Sequence, residues 1–182
     1  HGVAKAPAYQ SSDKATRRGG GGPLRVLWWQ GPTLLNPHFA TGTKDQDGSR
    51  IFYEPLASWD SDGNLVPILA AEVPSVANKT LAADGRWVIW KLKKDVRWHD
   101  GRPFTADDVL FNAAYASDPA TAAVTVAVYR DIKVSKIDSH TVRLENPGPR
   151  PFWADTFVGV GGMIIPKHLF EPFIGAKSRD AP

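Results

Sequence analysis

The chain has no cysteine and one methionine among its 182 residues. Without thiols, these residues form no disulfide, thiolate metal site, cysteine nucleophile or lipid-bearing cysteine, although that does not identify a compartment. No apolar run approaches the ~20 residues needed to cross a bilayer. There is no apolar h-region at the N-terminus, so any secretory signal is expected to be missing or already removed. No G-x-S-x-G nucleophile elbow occurs. The five histidines, His1, His38, His99, His140 and His168, never fall at the short spacing of a zinc site.

A surplus of basic charge on the folded body is also lacking. Lys5, Lys14, Arg17 and Arg18 against Asp13 give residues 1–22 a charge of +3, which is the whole chain's, so residues 23–182 sum to zero. A neutral body with a basic tail is no nucleic-acid footprint, and no nucleic-acid partner is expected. The tail is polar, lacks a period and closes on Gly19–Gly22. It is expected to be a flexible spacer outside the core, with residues 23–182 forming the folded part. No Gly-Lys-Ser/Thr follows those glycines, so they are not a phosphate loop.

What the sequence does have is a packed core, marked by seven tryptophans and 42% hydrophobic residues, and an ordered signal at residues 83–111, ADGRWVIWKLKKDVRWHDGRPFTADDVLF. Val88, Trp90 and Leu92 alternate as on a half-buried strand, between two Asp-Gly turns at Asp84-Gly85 and Asp100-Gly101. Thr105 followed by Asp108 is a variant of the capping box and predicts a helix over Thr105–Ser117, ended by Asp118-Pro119. Leu24–Gln30 is apolar on both faces and reads as a central buried strand. Gly48–Ala57 reads as a helix disturbed by Pro55, and Asp60–Gly63 as a turn. Asp131–Asp138 and Thr141–Glu145 read as a hairpin, and Pro151–Phe157 as a short helix with proline at its start. The expected fold class is α/β. The expected core is Val26, Trp28, Phe52, Leu56, Val88, Trp90, Leu92, Trp98, Val109, Phe111, Val134, Val142, Leu144, Phe152 and Ile165.

The order Trp98, Asp100, Gly101, Arg102, Pro103, Thr105, Ala106, Asp108, Val109 resembles the signature of family 5 extracytoplasmic solute-binding proteins, the peptide- and nickel-binding receptors of ABC importers. Leu35-Asn36-Pro37-His38, Tyr53-Glu54-Pro55-Leu56, Asp62–Ala70 and Ile165–Leu169 match the family's pattern in the same order, so the likeness runs over about 24–172. The resemblance implies a periplasmic-binding-protein-like lobe (type II, large cluster C-like), incomplete in this chain, which would then be an N-terminal fragment of a two-lobed receptor. It implies capture of a ligand, first of all an oligopeptide, and delivery to ABC permease subunits in the membrane, from a periplasmic or extracellular location with membrane association through a missing N-terminus as one option. The same family offers a sugar, opine or nickel chelate as ligand. A different class remains open: a hydrolase whose catalytic half lies elsewhere. No cofactor, resident metal or catalytic residue is expected.

Candidate ligand contacts start at the loop after the first predicted strand. Ligands of open α/β sheets bind beyond the carboxyl ends of strands, and by resemblance this loop lines the cleft between lobes. Trp29 offers a flat apolar wall, Gln30 and Thr33 offer hydrogen bonds, and Gly31, followed by Pro32 in the same loop, lets the backbone come close to a ligand. Trp29 serves equally well as core. His38 lies beside the presumed cleft, with a structural role as the stronger reading, because one imidazole without partners is a poor metal site. Tyr129 falls in the region after the main helix where some family members contact peptide backbone. Asp107-Asp108 point about 100° apart on a helix and serve as N-terminal caps rather than as an acid/base pair.

Overall fold

The computed structural model describes residues 22–23 and 25–181; the tail predicted at 1–22 otherwise lies outside the described residues. Four α-helices are described: α1 (Thr43–Ser49), α2 (Ala106–Ser117), α3 (Val126–Tyr129) and α4 (Lys167–Phe170). The five described strands are β1 (Ala57–Trp59), β2 (Leu65–Pro67), β3 (Trp87–Lys91), β4 (Lys133–Asp138) and β5 (Thr141–Glu145). β1 and β2 pair antiparallel around Asp60–Asn64, where the Asp60 carboxylate accepts the Asp62 and Asn64 N–H groups at 2.9 and 2.8 Å. β3, β5 and β4 form an antiparallel sheet in that order. Single bridges join the two sheets at Ala70–Leu92 and tie Ala57 to Val158.

The β3 alternation fulfils its prediction. Val88 and Trp90 point inward at 1% exposure each, opposite Leu144 and Val142 of β5, while Trp87 and Ile89 stay half-buried on the outer face. Across that face the Arg143 guanidinium sits 4.9 Å from the Trp87 ring centre, a cation–π contact. α2 lies against β4 and β5 and divides the interior. Ala106, Val109, Ala113 and Ala116 face the sheet, and Phe111 and Tyr115 face Ile165 and Phe170.

α2 begins where its cap predicts. Thr105 is extended, its hydroxyl accepts the Asp107 N–H at 3.3 Å, and Asp108 accepts the Thr105 N–H at 2.9 Å. The other Asp108 oxygen accepts the Lys167 N–H at 3.0 Å, so the same carboxylate also positions α4. Thr105→Ala is expected to cost about 1 kcal/mol, read as a shift in the urea midpoint with unchanged slope. A change within error would mean that the reciprocal cap carries no stability.

Several predicted elements are replaced. Residues 25–30 are not a strand: Val26, Leu27, Trp28 and Trp29 are 64%, 97%, 48% and 70% exposed, so Val26 and Trp28 leave the predicted core. A strand exists through its ladder, and this apolar segment pairs with none of the described strands. The helix expected at 48–57 sits instead at Thr43–Ser49 and gives way to a turn at Ile51-Phe52. Pro55 biases Glu54 toward extended backbone, and the chain enters β1 at once. Phe52 consequently faces outward at 44% exposure. Residues 151–157 form turns rather than a helix, Phe157 takes a left-handed φ of 62°, and Phe152 is 86% exposed. The hairpin starts at Lys133, two residues later than predicted, because Asp131 also lies in the left-handed region at φ 66°.

Candidate functional site

The loop singled out at Trp29–Thr33 is fastened at its far end. The Asp45 carboxylate, in the first turn of α1, accepts the Thr33 N–H at 2.7 Å, and Lys44 Nζ donates to both Thr33 Oγ1 and Asp45 Oδ1 at 2.7 Å. The Lys44 hydrogen bond, reinforced by the Thr33 N–H, holds the Asp45 carboxyl down at about 2. Pro32 and Leu35 pack on α1 at Gly48, where a methyl group would fall 2.9 Å from Pro32 Cβ and 3.2 Å from Leu35 Cδ2. Upstream of this clamp Trp29, Gln30 and Gly31 are exposed, with open space around the Gly31 Cα.

Thr33 also borders an apolar groove of about 840 Å³. The groove lining comes from three segments: Thr33–Asn36 with Phe39, Phe52-Tyr53, and Leu169-Phe170 with Ser178, Arg179 and Ala181. Apolar walls with a few polar groups suit an organic ligand. A smaller cleft of about 110 Å³ between Arg50, Glu54 and Met163 falls below the size range of ligand pockets. Of the seven predicted contacts, Thr33 alone lines the groove; Trp29, Gln30, Gly31 and Pro32 precede it in the chain as exposed residues. Sequence reasoning missed the aromatic walls. Phe39, Phe52, Tyr53 and Phe170 share no period, so their convergence has no sequence signal.

His38 and Tyr129 lie in the interior, at 0% and 1% exposure. His38 Nδ1 is 2.6 Å from Thr125 Oγ1 and Nε2 is 2.8 Å from Asn112 Oδ1. Asn112 Nδ2 donates to the Tyr129 hydroxyl at 3.2 Å, and that hydroxyl donates to the Gly161 carbonyl at 3.3 Å. Burial pushes the His38 imidazole down to about 4, against a smaller upward pull from Asn112, and burial raises the Tyr129 phenol far above its ordinary value. With the folded value below the ordinary 6.5, the unfolded chain takes up this proton first. The contribution to stability is complete above about pH 6.5 and falls away as pH drops toward 4, by about 3 kcal/mol in all. Among the remaining histidines, His99 is exposed, His140 is half-buried in the β4–β5 turn, and His168 Nε2 lies 2.6 Å from Asp100 Oδ2. Asp107 pairs with Lys136 at 2.8 Å, consistent with its reading as a helix-start residue rather than half of an acid/base pair. Among the described residues no three His, Cys, Asp or Glu side chains converge to hold a metal ion.

Residues 64–181 match the model of the bacterial extracellular solute-binding proteins, family 5, middle region. The chain belongs to this family. The periplasmic oligopeptide-binding protein OppA of Escherichia coli K12 is 27% identical over 157 residues, covering 76% of this chain and 28% of OppA. The oligopeptide-binding protein AppA of Bacillus subtilis, solved with a nonapeptide, superposes with a TM-score of 0.71 at 25% identity, over 82% of this chain and 29% of AppA. The binding protein MoaA of A. tumefaciens R10, solved with mannopinic acid, superposes with a TM-score of 0.64 at 32% identity, over 76% of this chain and 28% of MoaA. The mixed helix and sheet fold is therefore that of periplasmic binding proteins. The family 5 chain spans less than a third of the length of each of these binding proteins. No described helix is long and apolar enough to cross a membrane.

Proposed function

We propose that the protein takes part in capturing a solute, an oligopeptide first of all, for an ABC importer, outside the cytoplasm, and hands it to permease subunits without making or breaking a bond. Family membership supports the class. The observation that carries the site is an apolar groove bordered by Thr33, Asn36 and Arg179, with Thr33 clamped by Asp45 and the loop before it carrying Trp29 at 70% exposure. A peptide supplies what such a surface takes: amide groups for the polar rim and side chains for the apolar walls. The ligand would be enclosed between this surface and sequence outside these 182 residues, since tight capture requires covering most of a ligand's area. Mannopinic acid is the second reading, favoured by the higher identity to MoaA than to AppA.

Calorimetry with a mixed oligopeptide pool, run on this chain and on a protein of the relatives' length that contains it, tests the reading. Micromolar binding is expected from the longer protein, weakened at least about tenfold by Trp29→Ala, and none from the 182-residue chain. Equal binding by both would refute the two-sided enclosure. Binding of mannopinic acid but of no peptide would move the assignment to the second reading. Turnover of the peptides would place the protein among hydrolases.

A further inference from the structure

The hydrogen-bond chain through His38 has a fixed direction, because a backbone group closes it at each end. The Ile165 N–H can only donate, and it donates to Asn112 Oδ1 at 3.2 Å. The Gly161 carbonyl can only accept, and it takes the Tyr129 hydroxyl proton. The Asn112 atom facing His38 is therefore the amide oxygen, so His38 Nε2 must carry a hydrogen. Nδ1 is then bare and accepts from the Thr125 hydroxyl. Of the two neutral tautomers, the one with its proton on Nε2 satisfies every member.

The same histidine holds the groove wall. Its backbone N–H donates to Asn36 Oδ1 at 3.0 Å, Asn36 Nδ2 donates to the Tyr115 hydroxyl at 3.2 Å, and its carbonyl accepts the Val124 N–H at 2.8 Å. Asn36 and Phe39, on either side of it, line the groove. We propose that His38 is an acid-opened latch: proton uptake at its Nδ1 releases residues 36–40, and with them one wall of the groove, from α2 and α3.

A proton can enter this network at Nδ1 alone. Its arrival turns the Thr125 hydroxyl from donor to acceptor and places a positive charge on a fully buried ring where no carboxylate is a hydrogen-bond partner. The charged groups on the surrounding elements are engaged elsewhere. Asp108, one turn before Asn112 on α2, accepts from Thr105 and Lys167. Asp155, behind Tyr129, is held bidentately by Arg150 at 2.9 and 2.8 Å. Asp45 pairs with Lys44 near α1. Arg130 and Asp131 follow α3 on the exposed side. The phenols of Tyr115 and Tyr129, with ring centres 5.5 and 6.0 Å away, complete the shell. Burial as the leading cause of the lowered His38 value agrees with this geometry. The latch belongs to the fold and holds whichever ligand occupies the groove.

The test uses ring-nitrogen NMR on the histidine-labelled chain, with His38 assigned by its loss in His38→Gln, and amide exchange divided by the intrinsic rate. At about pH 7 the His38 signals should be those of the neutral Nε2–H form. Near pH 4 the ring should titrate while the Val124 amide loses at least about tenfold in protection relative to the amides of β5. His38→Gln keeps a donor toward Asn112 but cannot be protonated, and should hold Val124 protected through the same range. Asn112→Asp should move the ring titration above its ordinary value by supplying a carboxylate. Titration of His38 near 6.5, an Nδ1–H form at neutral pH, opening of Val124 only together with β5, or unchanged acid opening in His38→Gln would each overturn the latch.

Discussion

Trp90→Ala is expected to lower stability by about 3–5 kcal/mol, among the larger effects a single substitution produces. The indole is 1% exposed, pairs with Val142 across β3 and β5, and meets Trp153 with ring centres 6.0 Å apart. Truncation removes the apolar contact and leaves a cavity in the wall that α2 packs against. In a chain of this length that is a drop in melting temperature of about 6–20 °C, measured by circular dichroism. A drop of less than about 2 °C would mean that the sheet is not the stabilising centre of this fold.

Gly85→Ala is expected to cost about 2–4 kcal/mol, combining a left-handed backbone with a collision. Gly85 has φ 72°, and an added Cβ would sit 2.0 Å from the Arg150 carbonyl oxygen. The site is locked around that approach, since Arg150 N–H donates to the Asp84 carbonyl at 2.8 Å and Asn146 Nδ2 donates to the Gly85 carbonyl at 2.8 Å. Gly101 is the control. Its φ is 87°, but nothing lies within 4 Å of its added Cβ, so Gly101→Ala should show the backbone strain alone, about 1–2 kcal/mol. Thermal melts of the two variants side by side separate strain from collision. Equal losses would show that the Arg150 segment yields freely.

Those two Asp-Gly turns are alike in sequence, and their different environments mark where sequence reading stops. The clearest signals that depend on near neighbours were legible, although the local helix readings at 48–57 and 151–157 were not fulfilled. The alternation of Val88, Trp90 and Leu92 settles which β3 residues face inward, because side chains of a strand alternate whatever lies opposite. Thr105 and Asp108 set the start of α2, because both partners of the capping box lie within one turn. The β4–β5 hairpin and the Asp60–Asn64 turn are local in the same sense, and the ordered motif from Trp98 to Val109 carried the family.

What depends on distant partners was decided only by the tertiary structure. An apolar stretch such as 25–30 becomes a strand only if another strand offers its hydrogen-bonding edge, and that information lies nowhere in the stretch itself. The groove is built from residues 33–39, 52–53 and 169–181, three segments with no shared period. His38 looked like one imidazole without partners, because Asn112 and Thr125 lie 74 and 87 residues further along the chain. Capping boxes and strand alternation are properties of a few consecutive residues, so the sequence alone showed the cap at Thr105 and the inward face of β3. Enclosure, and with it the perturbed His38 and the shape of the groove, is a property of which surfaces meet, and only the folded chain decides that.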